Sequence, residues 1–388
     1  MREAVIVSAA RTPVGRCRGA LAPVPAHELG ALTVKEAVKR SNIDPAEVDE
    51  VVYSNLMNHE INNMGRMVGL AAGLPIEVPG ITVDRQCGAS LNAFAYAAIL
   101  IQAGYADVIV AGGVESDSRR TYTMDKPEAP YQVAPPKWSD VHTAPDEIGN
   151  DSMVQTAQNI ADRFGITREE CDEFAVRSHA LASKAWDEGH FDGQVVPVEI
   201  KTRKSSVTVD KDETVRPGTT MEVLAKLPSV TGPDGIVTAG NSSPMSDGSG
   251  AVVVMEKELA KKRGLEILGT FKAYAAAGVD PTIMGTGPIA ATRKLMKQTG
   301  MTMKDFDLIE MNEAFAAQSI KCIRDLEIDM DKLNVNGGAI ALGHPLAGTG
   351  SILLTKMVYE LKRRNLSTGL ITFCCGGGQG VSVVIERE

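Results

Sequence analysis

The feature that most limits how this chain can fold is a repetition. "SNIDPAEVDEVVYSN" (41–55) has the pattern of "TGMTMKDFDLIEMNE" (299–313). "ITVDRQCGASL" (81–91) answers "LNVNGGAIALGHPLAGTG" (333–350) as strand, polar turn and helix. "DVIVAGGVES" (107–116) answers "GLITFCCGGGQG" (369–380) as an apolar strand running into a glycine-rich turn. The pairs keep one order, each displaced by roughly 250–265 residues, which is the mark of a duplicated unit. Two similar halves follow, with functional loops where their strands end.

Within each half, β-branched runs alternate with Ala-rich or amphipathic stretches, the pattern of α/β layers. Strands are expected at Ala4–Ser8, Glu50–Ser54, Ile81–Asp84, Val108–Ala111, Gly250–Met255, Phe306–Glu310 and Gly369–Phe373. Helices are expected at Ala26–Arg40, Ser90–Ala103, Ala314–Leu326 and Thr349–Arg364. At 388 residues the chain is too long for one ordinary core. The stretch from Ser118 to about Pro233 breaks the alternation: a Pro-rich opening, helices at Met153–Phe164 and Arg168–Glu188, then a charged, strand-poor run. It reads as an insertion. The expected division is residues 1–117 with 238–260 as one half, 118–237 as the inserted domain and 265–388 as the other half.

A net charge of −9 argues against a broad nucleic-acid surface, but leaves room for a local anionic ligand. Cys17, Cys87, Cys171, Cys322, Cys374 and Cys375 show neither CxxC nor Cys/His metal spacing, so they read as thiols and no metal site is expected. "MREAVIVSAARTP" enters a strand at once, no apolar run spans a membrane, and "IERE" is no peroxisomal signal. The expected location is cytoplasmic.

Cys87 stands where a strand ends and a helix begins. A lone cysteine is commonly core filling, but free N–H groups and the dipole at a helix start favour a thiolate and can hold an oxyanion. On this reading the junction, with a nearby histidine, lowers the thiol pKa. His344 lies in a glycine-rich turn stiffened by Pro345, which suits a positioned base. Asn312 and Glu313 follow an apolar strand, either as caps for the next helix or as an amide that orients a water or a substrate oxygen. Cys374 and Cys375 adjoin "GGGQG" and are either packed or a second reactive thiol. "TAGNSSPMSDGSG" (238–250) is either an ordinary loop or the lining of a ligand channel. "GGGQG" lacks the Lys-Ser/Thr of a nucleotide loop, and "GTGPIA" (285–290) does not follow a clear strand.

Together these strings resemble the thiolases, the acetyl-CoA acetyltransferase and 3-ketoacyl-CoA thiolase family, over nearly the whole chain. "VIVSAARTPVG", "NEAFA", "NVNGGAIALGHPLAGTG", "CCGGGQG", "ITREECDEFAVRSHALASKAWDEGHF" and "VTAGNSSPMSDGSGAVVV" carry the likeness. The resemblance implies a duplicated five-layered αβαβα fold whose inserted loop domain covers coenzyme A. It implies Cys87 as the acyl-accepting nucleophile and His344 as its activator. Asn312 would hold a water in the first oxyanion hole, and Cys374 would be the acid/base at the α-carbon. The N–H groups of Cys87 and Gly376 would form the second hole. It also implies coenzyme A contacts at Ser243, Ala239, Met153, Phe315 and Arg216, acyl-CoA substrates with no permanently bound cofactor, and a homodimer or homotetramer with Ile81–Cys87 near the partner. Two places depart from the family pattern. Gly88, Ala89 and Ser90 stand where the family usually has Ser/Gly-Ser-Gly, and Ala347 stands where Gly is common. The covering segment Asp117–Ser152 also matches poorly. Two alternatives remain: a decarboxylating ketoacyl synthase on the same fold, and a catalytically silent acyl-CoA-binding subunit.

Overall fold

The computed structural model describes residues 2–387 apart from 128, 130, 132–134, 136 and 202–204. Parts of the Pro-rich opening and of the charged run of the expected insertion therefore lie outside the described residues. Its strands are β1 (Ala4–Arg11), β2 (Gly15–Arg16), β3 (Glu50–Ser54), β4 (Gly80–Thr82), β5 (Val108–Ser116), β6 (Val198–Lys201), β7 (Ser206–Val209), β8 (Ser246–Glu256), β9 (Gly269–Gly278), β10 (Leu308–Met311), β11 (Thr368–Cys375) and β12 (Gln379–Glu386).

The main sheet runs β10-β11-β12-β9-β1-β8-β5-β3-β4. Its two arms repeat one scheme. In the first, β3 lies parallel to β5, and β5, β8 and β1 follow antiparallel. In the second, β10 lies parallel to β11, and β11, β12 and β9 follow antiparallel. The counterpart of β4 in the second arm is a single bridge, Ile309 to Leu333. The arms join edge to edge at Val5–Thr270 and Ile6–Gly269.

Both faces of each arm are covered, so the strands read as near-continuous apolar runs in which alternate residues enter different cores. Ile6, Ile109, Ala111, Val252 and Val254 join Phe373, Val381 and Val383 of the other arm around helices Ala89–Gln102 and Thr349–Arg364. These two helices form the middle layer. Val5, Val51, Val108 and Val253 face helices Ala26–Ser41 and Met64–Ala71. Ile309, Met311, Leu370 and Val384 face helices Gly287–Thr299 and Ala316–Leu326. Five layers result: helix, sheet, helix, sheet, helix. The repeat places one helix from each half in the middle, and both helix starts point to the same end of the molecule as the functional turns.

Two elements differ from the sequence expectation for a physical reason. "GTFKAYAAAG" is Ala-rich and carries no strand signal, yet it is β9, because β12 and β1 offer it hydrogen bonds on both edges. The charged run after Arg168–Asp187 is not free of strands either, since β6 and β7 pair antiparallel. The segment between β5 and β8 is tied to the core by a buried ion pair. Arg11 on β1 donates to Asp212 at 2.8 and 3.1 Å and to Gln194 at 3.2 Å, and lies 5.0 Å from the Phe191 ring centre. Helix Arg168–Asp187 is started by a capping box in which Thr167 and Glu170 exchange side-chain and backbone hydrogen bonds.

Candidate active site

Three turns build the site, two after strands and one after the short helix Ala339–Leu342. The first holds Cys87, in a short helical turn (Gln86–Gly88) that runs into helix Ala89–Gln102. Gln86 sits at φ 48°, a conformation costly for a residue with a side chain, and its N–H is held by Asp84 Oδ1 at 2.6 Å. Arg85 braces the turn by donating to Gln379 at 2.8 Å and to Asn92. The second turn follows β11. Cys374 and Cys375 close the strand, and Gly376–Gly378 turn the chain into β12. Gly377 has φ 76°, and a Cβ there would sit 2.5 Å from the Thr143 carbonyl oxygen of the covering segment, so only glycine fits. The third turn, Gly343–Gly348, carries His344 into helix Thr349–Arg364.

The sulfur of Cys87 lies against the backbone N–H groups of Gly376 and of Cys87 itself, and within electrostatic range of Cys374. Asn312 follows β10, with its N–H on the Thr372 carbonyl at 3.0 Å. Its Nδ2 lies 3.3 Å from His344 Nε2. His344 Nδ1 lies 2.7 Å from Thr349 Oγ1, and the His344 backbone N–H donates to Ser246 Oγ at 3.2 Å. If the Asn312 amide donates to Nε2, the imidazole proton is on Nδ1 and is given to Thr349, leaving Nε2 as the base. Asn312 Oδ1 is buried with no partner among the described residues.

The electrostatics differ from the sequence expectation. Burial pushes the Cys87 thiol up to about 11, and the backbone donors only partly oppose it. Burial alone lowers His344 to about 4. Burial, followed by the neighbouring thiols Cys87, Cys375 and Cys322, raises Cys374 well above an ordinary thiol. The resting site is therefore neutral, with thiols and an uncharged imidazole, rather than a thiolate beside an imidazolium. Desolvation outweighs the helix start at this depth.

A pH test follows. The unfolded chain takes up a proton on this histidine near its ordinary pKa of 6.5, while the folded chain waits until about 4. Its contribution to stability is thus complete above pH 6.5, falls as the pH drops through that window and levels off below it. A His344→Gln variant is expected to lose less melting temperature than the parent between pH 7 and pH 4, measured by calorimetry.

Glu313 does not cap a helix. That helix begins at Ala316 without a side-chain cap. Glu313 is buried and accepts from Ser178 Oγ at 2.6 Å, Asn334 Nδ2 at 2.7 Å and the Ile340 N–H at 3.2 Å. It joins helix Arg168–Asp187 to the segment that leads into His344.

The residues expected to contact coenzyme A lie in separate groups. Met153 and Phe315 pack with Met284, Ala314, Val237 and Cys374 beside the second turn. Ser243 donates its N–H and hydroxyl to the Ala314 carbonyl, both at 3.0 Å. Ser242 bridges to Phe315 and lines an open cleft with Ala239, Arg216 and His179. Sequence reasoning did not single out Thr349, Met284 or Glu115. Thr349 was legible as a hydroxyl five residues after His344. Met284 was passed over together with the glycine string that follows it. Glu115 has no local signal. It is buried and accepts from the N–H groups of Met57 (2.9 Å) and Ala347 (3.3 Å), and burial raises its carboxyl to about 8. Among the described residues no group of three or more His, Cys, Asp or Glu is placed to hold a metal ion, and no helix is long and apolar enough to cross a membrane.

Residues 4–258 match the family described as "Thiolase, N-terminal domain", and residues 265–387 match "Thiolase, C-terminal domain". The chain is 43% identical over 400 residues to a beta-ketoadipyl-CoA thiolase of Acinetobacter baylyi, covering 100% of both chains. It is 43% identical over 398 residues to a 3-ketoacyl-CoA thiolase of Bacillus subtilis, again covering 100% of both. The crystal structure of the Bacillus anthracis acetyl-CoA acetyltransferase superposes with a TM-score of 0.95 at 42% identity, covering 100% of this chain and 99% of that one.

Proposed function

The chain belongs to the thiolase family and is an acyltransferase acting on acyl-CoA substrates, and on that premise we propose that Cys87, His344, Asn312 and Cys374 carry its chemistry, with Gly376 as an oxyanion donor. The observation that bears most weight is the meeting of the first two turns. Arg85 of the first turn donates to Gln379 of the second at 2.8 Å, which brings the Cys87 thiol within electrostatic reach of the Gly376 N–H and of Cys374.

In thiolysis, His344 Nε2 takes the Cys87 proton as the sulfur attacks the 3-keto carbonyl of a 3-ketoacyl-CoA. A resting thiol at about 11 and an imidazole at about 4 do not exchange that proton by themselves. Transfer is driven as negative charge develops on the carbonyl oxygen within reach of fixed donors. The unpartnered Asn312 Oδ1 suits a water that faces the substrate thioester oxygen, where the charge of the departing acetyl-CoA carbanion gathers. When the C2–C3 bond breaks, Cys374 gives its proton to C2 and acetyl-CoA leaves. Free coenzyme A then passes its thiol proton to Cys374 and attacks the acyl-enzyme. The Cys87 and Gly376 N–H groups receive the oxyanion on the acyl oxygen in both steps, and Cys87 recovers its proton from His344. Condensation runs the same steps backwards.

Coenzyme A is a substrate here rather than a permanent cofactor. Ser243, Ala239, Met153, Phe315 and Arg216 are proposed to line its path, beneath the covering domain 118–237. The proposed setting is cytoplasmic fatty-acid breakdown or β-oxidation-like metabolism. The proposed assembly is a homodimer or homotetramer, supported by the open edge at β4 and by the exposed Met67, Leu70 and Ile81 beside it. The test is a thiolysis series from acetoacetyl-CoA to longer and dicarboxylic 3-ketoacyl-CoA substrates, with mass spectrometry of the acetylated enzyme. Turnover with acetyl on Cys87 is the expected result. Acyl-CoA binding without turnover would favour a silent subunit.

A further inference from the structure

The helices that begin at the two catalytic turns touch through one side-chain hydrogen bond. Ser90 Oγ accepts from the Ser351 N–H at 2.9 Å, and both residues are buried. The N–H groups of a helix's first turn have no partner inside that helix. Helix Thr349–Arg364 has Gly348 at its N-cap position and no side-chain cap of its own. Its cap is therefore supplied across the interface by the nucleophile helix. The fit leaves no slack. A Cβ on Gly350 would lie 2.3 Å from the Leu91 nitrogen and 2.8 Å from Ser90 Oγ. A Cβ on Gly113 of β5 would lie 2.3 Å from the Ala347 carbonyl oxygen and 2.7 Å from Ser90 Cβ. Glu115, two residues along the same strand, holds the Ala347 N–H. Ser90 and Ala347, both places where the chain departs from the thiolase pattern, thus both lie against Gly113 behind the site.

We propose that Ser90 is a positioning residue for acyl transfer. Its hydroxyl locks the Cys87 turn to the His344 turn through Ser351. The linkage is short: one helical turn from Cys87 to Ser90, the hydrogen bond to Ser351, then Thr349 to the imidazole. The proposal rests on the functional reading above.

The test compares Ser90→Ala and Ser90→Gly with Thr355→Val. Thr355 is another buried hydroxyl of the same helix, bonded to the Ser351 carbonyl at 2.8 Å and away from the turns. Loss of the Ser90 acceptor is expected to lower kcat about 10-fold, because small misplacements of reacting groups are costly, with KM within about twofold. The pH profile for alkylation of Cys87 by iodoacetamide is expected to move to higher pH. Thr355→Val is expected to lower the melting temperature without either kinetic change. Parental kcat and alkylation profile in the Ser90 variants would overturn the proposal, and so would an equal kcat loss in Thr355→Val. The glycine variant reads the same effect if the alanine variant does not fold. A parent protein without thiolysis would count against the functional reading instead, and the alkylation profile would still decide the role of Ser90.

Discussion

A Cys87→Ala protein is expected to fold normally and to lose thiolysis by at least about 10⁴-fold, the scale seen when a covalent nucleophile is removed. The measurement is steady-state thiolysis of acetoacetyl-CoA, paired with mass spectrometry after incubation with acetyl-CoA. The adduct should vanish with the activity. The effect is large because nothing nearby can take over the role. Cys375 is fully buried in the central core, and its thiol is raised further still than that of Cys87. Cys374 is buried among Ala314, Phe315 and Met284. Only Cys87 combines some exposure with a set of backbone donors at its sulfur. Retained turnover in the alanine variant, or an acetyl group found on another cysteine, would refute the assignment.

Cys374→Ala is expected to separate the two halves of the reaction. Transfer of acetyl from acetyl-CoA to Cys87 should fall far less, because a departing coenzyme A thiolate needs the Cys374 proton much less than a carbanion does. Steps that add or remove a proton at the α-carbon should fall by about 10³-fold, within the range for loss of a positioned acid/base. The direct reading is exchange of the α-protons of acetyl-CoA with deuterated water, which the parent should catalyse and the variant should not. The raised pKa of Cys374 is consistent with this use. A thiol that holds its proton firmly at neutral pH is ready to give it to a carbanion, and its thiolate is a strong base toward a C–H bond. Equal loss of acylation and exchange would mean that Cys374 acts by packing rather than by proton transfer.

The neutral resting site explains why the two substitutions should behave differently. With Cys87 held protonated and His344 uncharged, charge appears only when substrate supplies the carbonyl oxygen. The cysteine is therefore expected to resist adventitious alkylation at neutral pH, with its reactivity set by donors fixed in advance.

Much of this was legible from residue order. The alternation of strands and helices, the duplicated pattern and the four polar positions proposed for the chemistry all lie in local strings. Apolar periodicity is a local consequence of side-chain direction, so β3, β5 and the two middle helices could be read directly. β9 could not, because an Ala-rich run becomes a strand only when neighbours supply both edges. The thiol chemistry was misjudged for a similar reason. A helix start argues for a low pKa, and only the depth of the surrounding protein reverses it. Glu313 looked like a cap and is an internal fastener, because its three donors come from Ser178, Asn334 and Ile340.

The sequence by itself determined which chemical groups are present, the class of reaction they suit, and the two-halved α/β plan. Tertiary structure alone decided their protonation, the direction of the imidazole, and the cross-helix cap at Ser90. Side-chain identity and periodicity are carried within a few neighbouring residues. Desolvation and hydrogen-bond partnership are set by atoms hundreds of residues away, and they acquire values only when the chain has closed around them.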